Sequence, residues 1–153
     1  MAGLNGRPMS DATLGLPRQL TKIYGLHDVG FRRLNTPVND VFRVTSSTGE
    51  FALKLYHRNR TAEAVEWEAD LVAYLHARGA PVVRPIRGRD GYLEHLVVEG
   101  RERLTVLFTW APGAKPTPGL QTYRLLGEAA ARIHHVADGL PPRHRGRSTT
   151  RLS

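Results

Sequence analysis

From about Val29 onward the hydrophobic positions fall into short runs. DVGFRRL, NDVFRVTS and EFALKLYH are rich in Val, Phe and Leu and are separated by the turn-forming stretches NTPVN and STG. This pattern predicts three antiparallel strands joined by tight connections. In the third, Phe51, Leu53 and Leu55 share one face, and Ala52, Lys54 and Tyr56 the other. The period then changes. TAEAVEWEADLVAYLHARG predicts a helix with Thr61 as N-cap, acids in the first turns, and Gly79 and Pro81 as the stop. Its apolar stripe runs through Val65, Leu71, Val72 and Leu75. Glu68, three residues after Val65 and four before Val72, projects from that same stripe.

Beyond this helix, VVRPIRGRDGYLEHLVV predicts a hairpin turning at RDG, and RLTVLFTW a further strand that breaks at APGAKPTPG. LQTYRLLGEAAARIHHVAD predicts a final helix with Tyr123, Leu126, Ala130 and Ile133 on one face, stopping at Gly139 and Pro141. The first 20 residues hold three glycines and two prolines and show little periodicity, so residues 1–22 read as a loose arm with one helical turn.

Composition narrows the function classes. With 153 residues the chain suits one domain, and 41% hydrophobic against 24% charged residues is ordinary for a folded one. It has no cysteine, which excludes disulfides and thiolate metal sites. No run approaches the roughly 20 apolar residues of a membrane span, and the start lacks the apolar stretch of a secretory signal. A soluble, cytoplasmic protein is the expectation. The net charge of +8 raises the question of nucleic acid, but four arginines within residues 139–153 account for half of it. The remaining basic residues are mixed with acids, as on a solvated surface.

The pattern of charges inside the elements says more. A lysine on a half-buried strand and a glutamate on a helix's apolar stripe each need a partner, because burying an isolated charge costs several kcal/mol. Lys54 and Glu68, 14 residues apart, can partner each other. So held, the lysine stays charged and extended, able to meet phosphate oxygens. The plain alternative is a lysine that snorkels to water and a glutamate at the edge of its stripe. His134 and His135 are adjacent, hence about 100° apart on a helix and badly placed to chelate together. His57, at a strand end, has no predicted partner. There is no Walker pattern, no serine nucleophile elbow and no His-Glu-x-x-His helix.

NDVFRV, FALKLY, VEWEADLVAYLHARGAPVVRPI, LFTWAPG and LGEAAARIHH, in this order, resemble successive stretches of the amino-terminal lobe of the aminoglycoside phosphotransferase family. That family includes choline kinase-like and homoserine kinase-like relatives. The resemblance runs from about Tyr24 to Asp138, roughly three-quarters of the chain. It implies an α+β, protein-kinase-like lobe: an antiparallel sheet of about five strands with one packed helix, followed by the first helix of a larger lobe. Residues 23–113 would form the lobe and hinge, 114–138 the linker and next helix, and 139–153 a basic disordered tail.

The resemblance also implies roles. Lys54 matches the strand lysine that contacts the phosphates of ATP, and Glu68 the helix glutamate that orients it. NTPVND lies where the family covers the phosphates. Asn39 is the candidate polar contact there, and the loop departs from the family in lacking the glycines that close phosphate cradling uses. Val41 and Ala52 would line the adenine pocket, with Thr109 and Ala111 supplying hinge hydrogen bonds. The family places its catalytic aspartate, and the asparagine and aspartate that hold magnesium, in the larger lobe. This chain has no Asp after Asp138 and no Asn after Asn59, so no catalytic or metal-binding residue is assigned.

The expectation is thus a truncated, ATP-dependent small-molecule phosphotransferase. It would keep nucleotide contacts, lack phosphoryl transfer, and be prone to self-association through the exposed apolar face of its last helix. Two alternatives stand beside it: a basic nucleic-acid-binding module working through the arginine tail, and a non-catalytic partner-binding protein.

Overall fold

The computed structural model describes residues 15–113 and 116–141. The first element, where the sequence predicts a loose arm with one helical turn, is a nine-residue helix, α1, over Leu16–Tyr24. Pro17 stands in its first turn, where no amide hydrogen is needed, and Gly25 closes it in the left-handed region at φ 68°. Leu16 and Leu20, one turn apart, are both fully buried. The correction has a physical reason. Pro and Gly mark the ends of this helix, whereas in a short stretch with only two inward leucines they read as breakers.

Three strands follow as expected, β1 over Gly30–Leu34, β2 over Asp40–Ser46 and β3 over Gly49–Leu55, paired antiparallel in sequence order. Helix α2 spans Ala62–Ala77, and the Thr61 hydroxyl caps it by accepting the Ala64 amide hydrogen at 3.2 Å. Then come β4 over Pro85–Ile86, β5 over Glu94–Val98, β6 over Arg101–Thr109 and the helix α3 over Leu120–Asp138. Among the described residues the sheet has six strands, in keeping with the expected five or so, in the order β1-β2-β3-β6-β4, with β5 also on β6.

The predicted hairpin at RDG does not form. β4 and β5 do not pair with each other; both lie antiparallel on the edge of β6 that faces away from β3. The hairpin turn is instead Glu99-Gly100, at φ 54° and 70°, a two-residue turn whose left-handed geometry suits the twist of the β5 and β6 strands. Arg89-Asp90-Gly91 is a surface bend. It is held by the buried Glu94 carboxylate, which accepts the Asp90 amide hydrogen at 3.0 Å.

Strand alternation splits the core between the two sheet faces. Phe42, Val44, Leu53, Leu55, Leu96 and Leu107 join Leu16 and Leu20 of α1 in one cluster. Tyr56, Val106 and Phe108 join Val65 and Ala69 of α2 in the other. The sheet is therefore covered by a different helix on each face. α3 buries none of its residues, and its apolar face stands exposed: Leu120 at 86%, Tyr123 at 64%, Leu125 and Leu126 at 56%. It meets the rest of the molecule near its C-terminal end, where the Arg132 guanidinium donates to the Gly79 carbonyl at 3.0 Å. Residues 1–14 of the expected arm and 142–153 of the expected basic tail lie outside the described residues. Leu140, at the start of that expected tail, is buried.

Candidate functional site

β3 is flanked on both sides, so its residues are placed by two sets of ladder bonds. Lys54 stands opposite Val41 on β2 and opposite Val106 on β6. Alternation sends its side chain to the α2 face of the sheet, with Ala52 before it and Tyr56 after it. From α2, Glu68 reaches back. The Lys54 ammonium donates to Glu68 Oε1 at 2.8 Å, with the two side chains 26% and 28% exposed.

Two donors that periodicity did not single out share this carboxylate. The Tyr56 hydroxyl donates to Oε1 at 2.9 Å, and the Arg60 guanidinium donates to Oε2 at 2.6 Å. Tyr56 had a signal, since it follows Lys54 by two positions on the same strand face. Arg60 had none, because it precedes the N-cap of α2 and belongs to no period. The Lys54 ammonium lies 4.4 Å from the centre of the Tyr56 ring and the Arg60 guanidinium 5.8 Å from it, within range of a cation–π attraction.

The electrostatics follow from this crowding. Burial works against the charge of Glu68, but the hydrogen bonds from Lys54 and Tyr56, with the added pull of Arg60, hold its carboxyl below the usual range. The Tyr56 phenol is pushed well above its ordinary value, first by burial and then by the neighbouring Glu68 charge. At neutral pH the unit is one carboxylate, two cations and a neutral phenol.

Beside it lies an apolar strip. Val41 is half-buried, and Ala52, between Arg43 and Phe108 in register, packs against the cluster under α2. At the end of β6, the Thr109 amide donates to the Arg84 carbonyl at 2.9 Å, and the Thr109 hydroxyl accepts the Arg84 amide hydrogen at 3.0 Å. Ala111 is exposed in the following segment. Trp110, between them, carries a latch absent from the sequence reading. The Arg43 guanidinium stacks 4.6 Å from its ring centre while donating to both oxygens of Glu50 at 2.8 Å. The signal was available: Arg43 and Glu50 are opposite charges on diagonal positions of adjacent strands.

Asn39 is placed differently from the others. Its amide oxygen accepts the His57 amide hydrogen at 3.1 Å, and its backbone carbonyl takes the Thr36 hydroxyl. The side-chain oxygen is therefore spent on tying the β1–β2 loop to the end of β3. Asp40, next in the chain, is paired with Arg33 and with Arg103 at 3.2 Å, and Arg103 also donates to the Tyr56 carbonyl.

The structure thus brings Val41, Ala52, Lys54 and Glu68 to the α2 face of the sheet, puts Thr109 and Ala111 at the end of β6, and ties the Asn39 oxygen to the His57 amide. An apolar strip ending in a pair of cations fits a ligand with a flat apolar head and an anionic tail. Among the described residues no three His, Asp or Glu side chains gather so as to hold a metal ion. Among them, too, no helix is long and apolar enough to cross a membrane.

Comparison with known proteins bears on the family and the fold. An uncharacterized protein of Synechocystis sp. is 32% identical over 136 residues, covering 82% of this chain and 37% of that protein. A homoserine kinase of Acidiphilium cryptum is 29% identical over 116 residues, covering 74% of this chain and 35% of the kinase. Among solved structures, an amicoumacin kinase in complex with AMP-PNP, Ca2+ and Ami superposes with a TM-score of 0.69 at 24% identity, covering 88% of this chain and 43% of that one. The chain spans roughly two-fifths of the length of these relatives. Residues 38–153 match the phosphotransferase enzyme family. With most of its length so matched and its sheet and helices superposing on a kinase of that size, the chain belongs to the phosphotransferase enzyme family and has the fold of a kinase-like amino-terminal lobe.

Proposed function

We propose that the chain is the nucleotide-binding lobe of an ATP-dependent phosphotransferase that acts on a small-molecule hydroxyl. The Lys54–Glu68 pair carries the reading. It fixes a cation, extended and charged, at the end of an apolar strip, as a polyphosphate tail requires. Val41 and Ala52 would flank the adenine ring. The Thr109 amide is engaged with Arg84, so the hinge contact falls to its carbonyl and to the Ala111 amide. The solved neighbour with AMP-PNP and the homoserine kinase relative support a nucleotide and a small acceptor. Bound ATP would supply the transferable phosphoryl group.

Residues 1–153 hold no counterpart of the family's catalytic aspartate or of its magnesium-holding asparagine and aspartate, so by this reading residues 1–153 alone bind without transferring. Calorimetric titration tests both halves. ATP binding should weaken at least about tenfold in Lys54→Ala, since a charge-assisted contact to phosphate is lost. No ADP should form with homoserine or an aminoglycoside present. Equal affinity in the variant would sink the binding assignment, and turnover above the Lys54→Ala background would sink the inactivity.

The exposed leucines and tyrosine of α3 favour a second property, self-association of this chain through that face. Sedimentation should show a concentration-dependent shift to larger species. A sample that stays monomeric across the accessible range would remove this reading.

A further inference from the structure

The strand lysine is not the only cation that Glu68 presents. Arg60 grips the other oxygen of the same carboxylate, at 2.6 Å against 2.8 Å for Lys54. The two positive groups are therefore held one carboxylate width apart. Left alone, two such cations would repel; the shared acid fixes them as a pair with one surplus positive charge.

Neither cation is used up. An ammonium offers three donors and a guanidinium five. Among the described residues, the side chains of Lys54 and Arg60 each make one hydrogen bond, the one to Glu68. The second acid near this end of the sheet, Asp40, is already taken by Arg33 and Arg103. Tyr56 fixes the arrangement from below, with its hydroxyl on Glu68 and its ring within 5.8 Å of both cations. Since Tyr56 is 2% exposed and packed in the core under α2, the pair stands on a rigid base. Arg60 is the more open partner, with its side chain 42% exposed.

We propose that Arg60 is a second phosphate-binding residue, set beside Lys54 by their common hold on Glu68, and that the ligand's polyphosphate lies across both cations. The assignment rests on the nucleotide reading above for the identity of the ligand, but the paired cations themselves would recognise any adjacent phosphates. A guanidinium fork matches two phosphate oxygens at once, where an ammonium acts as a point charge. Arg60 should thus favour ligands with two or three phosphates over those with one.

The test measures the affinity of the full chain for ATP, ADP, AMP and inorganic tripolyphosphate. In Arg60→Gln, ATP, ADP and tripolyphosphate should each bind about tenfold more weakly, with AMP changed less than about twofold. Arg60→Lys, which keeps the charge and loses the fork, should fall between, and both variants should keep the wild-type circular-dichroism spectrum and a single cooperative melt. Tripolyphosphate carries no base, so it reads the cation pair without the adenine strip. If ATP fails to bind while tripolyphosphate binds in an Arg60-dependent way, the nucleotide reading falls and the cation pair stands. If wild type and Arg60→Gln bind tripolyphosphate equally, or if neither binds it, the proposal is overturned. It is overturned as well if Arg60→Gln weakens AMP as much as ATP, because that marks a merely structural role.

Discussion

Leu107→Ala is expected to lower the free energy of unfolding by about 2–5 kcal/mol, the range for emptying a well-packed leucine site. Leu107 is fully buried in the middle of β6, opposite Leu53 on one side and Ile86 on the other. It belongs to the cluster that also holds Leu16 and Leu20 of α1, so the vacated space is walled by strands and a helix that cannot close over it without breaking ladder bonds. Against a total stability of about 5–15 kcal/mol for an ordinary domain, the loss is a large fraction. Urea denaturation followed by circular dichroism should show a lower midpoint with an unchanged slope. Val97→Ala on the same sheet, at a position 54% exposed, serves as control and should cost no more than about 0.5 kcal/mol. Equal costs at the two positions would contradict the layered core.

The second large effect is electrostatic. Glu68→Gln keeps the shape of the side chain and removes the charge on which Lys54, Arg60 and Tyr56 converge. Two cations lose their counter-charge, and an amide NH2 meets donors where a carboxylate accepted from them. For a side chain 28% exposed, the loss at pH 7 should be about 2–4 kcal/mol, somewhat below that of a fully buried pair.

Its pH dependence has a definite sign. The folded carboxyl is held below its ordinary value, so it stabilises the fold fully above the unfolded glutamate value of about 4.3. That contribution is lost as pH falls through the lower folded value. The gap between wild type and Glu68→Gln should therefore be constant around neutrality and close in acid. Paired denaturation curves from pH 7 downward measure it; a gap that widens on acidification would refute the carboxylate as the stabilising form.

How far the sequence exposed this arrangement depended on whether period or convergence set each feature. β1 to β3 and α2 followed from alternation and a cap, because each buries one face and announces it every second or every third to fourth residue. The meeting of Lys54 with Glu68 was legible for the same reason, as two charges on two faces that had to be buried together. α1 was not, since its inward face amounts to Leu16 and Leu20 and its terminal Pro and Gly serve equally as breakers. The β5–β6 turn was missed because RDG and Glu99-Gly100 are rival turn signals, and only the second places both of its residues at positive φ. Arg60 and the Arg43–Trp110 stack depend on contacts between elements, which no single period encodes.

α1 also does something at the far edge of the sheet. The Gln19 side-chain amide donates to the Val97 carbonyl at 2.9 Å and accepts the Val97 amide hydrogen at 2.8 Å, the two bonds a neighbouring strand would make. Among the described residues β5 pairs only with β6, so its outer edge would otherwise present free backbone groups to any passing chain. One glutamine thus plays the part of an absent strand. The segment that reads as a loose arm in the sequence thus covers this edge, and trimming the chain back to the start of the sheet would uncover it to intermolecular β-pairing.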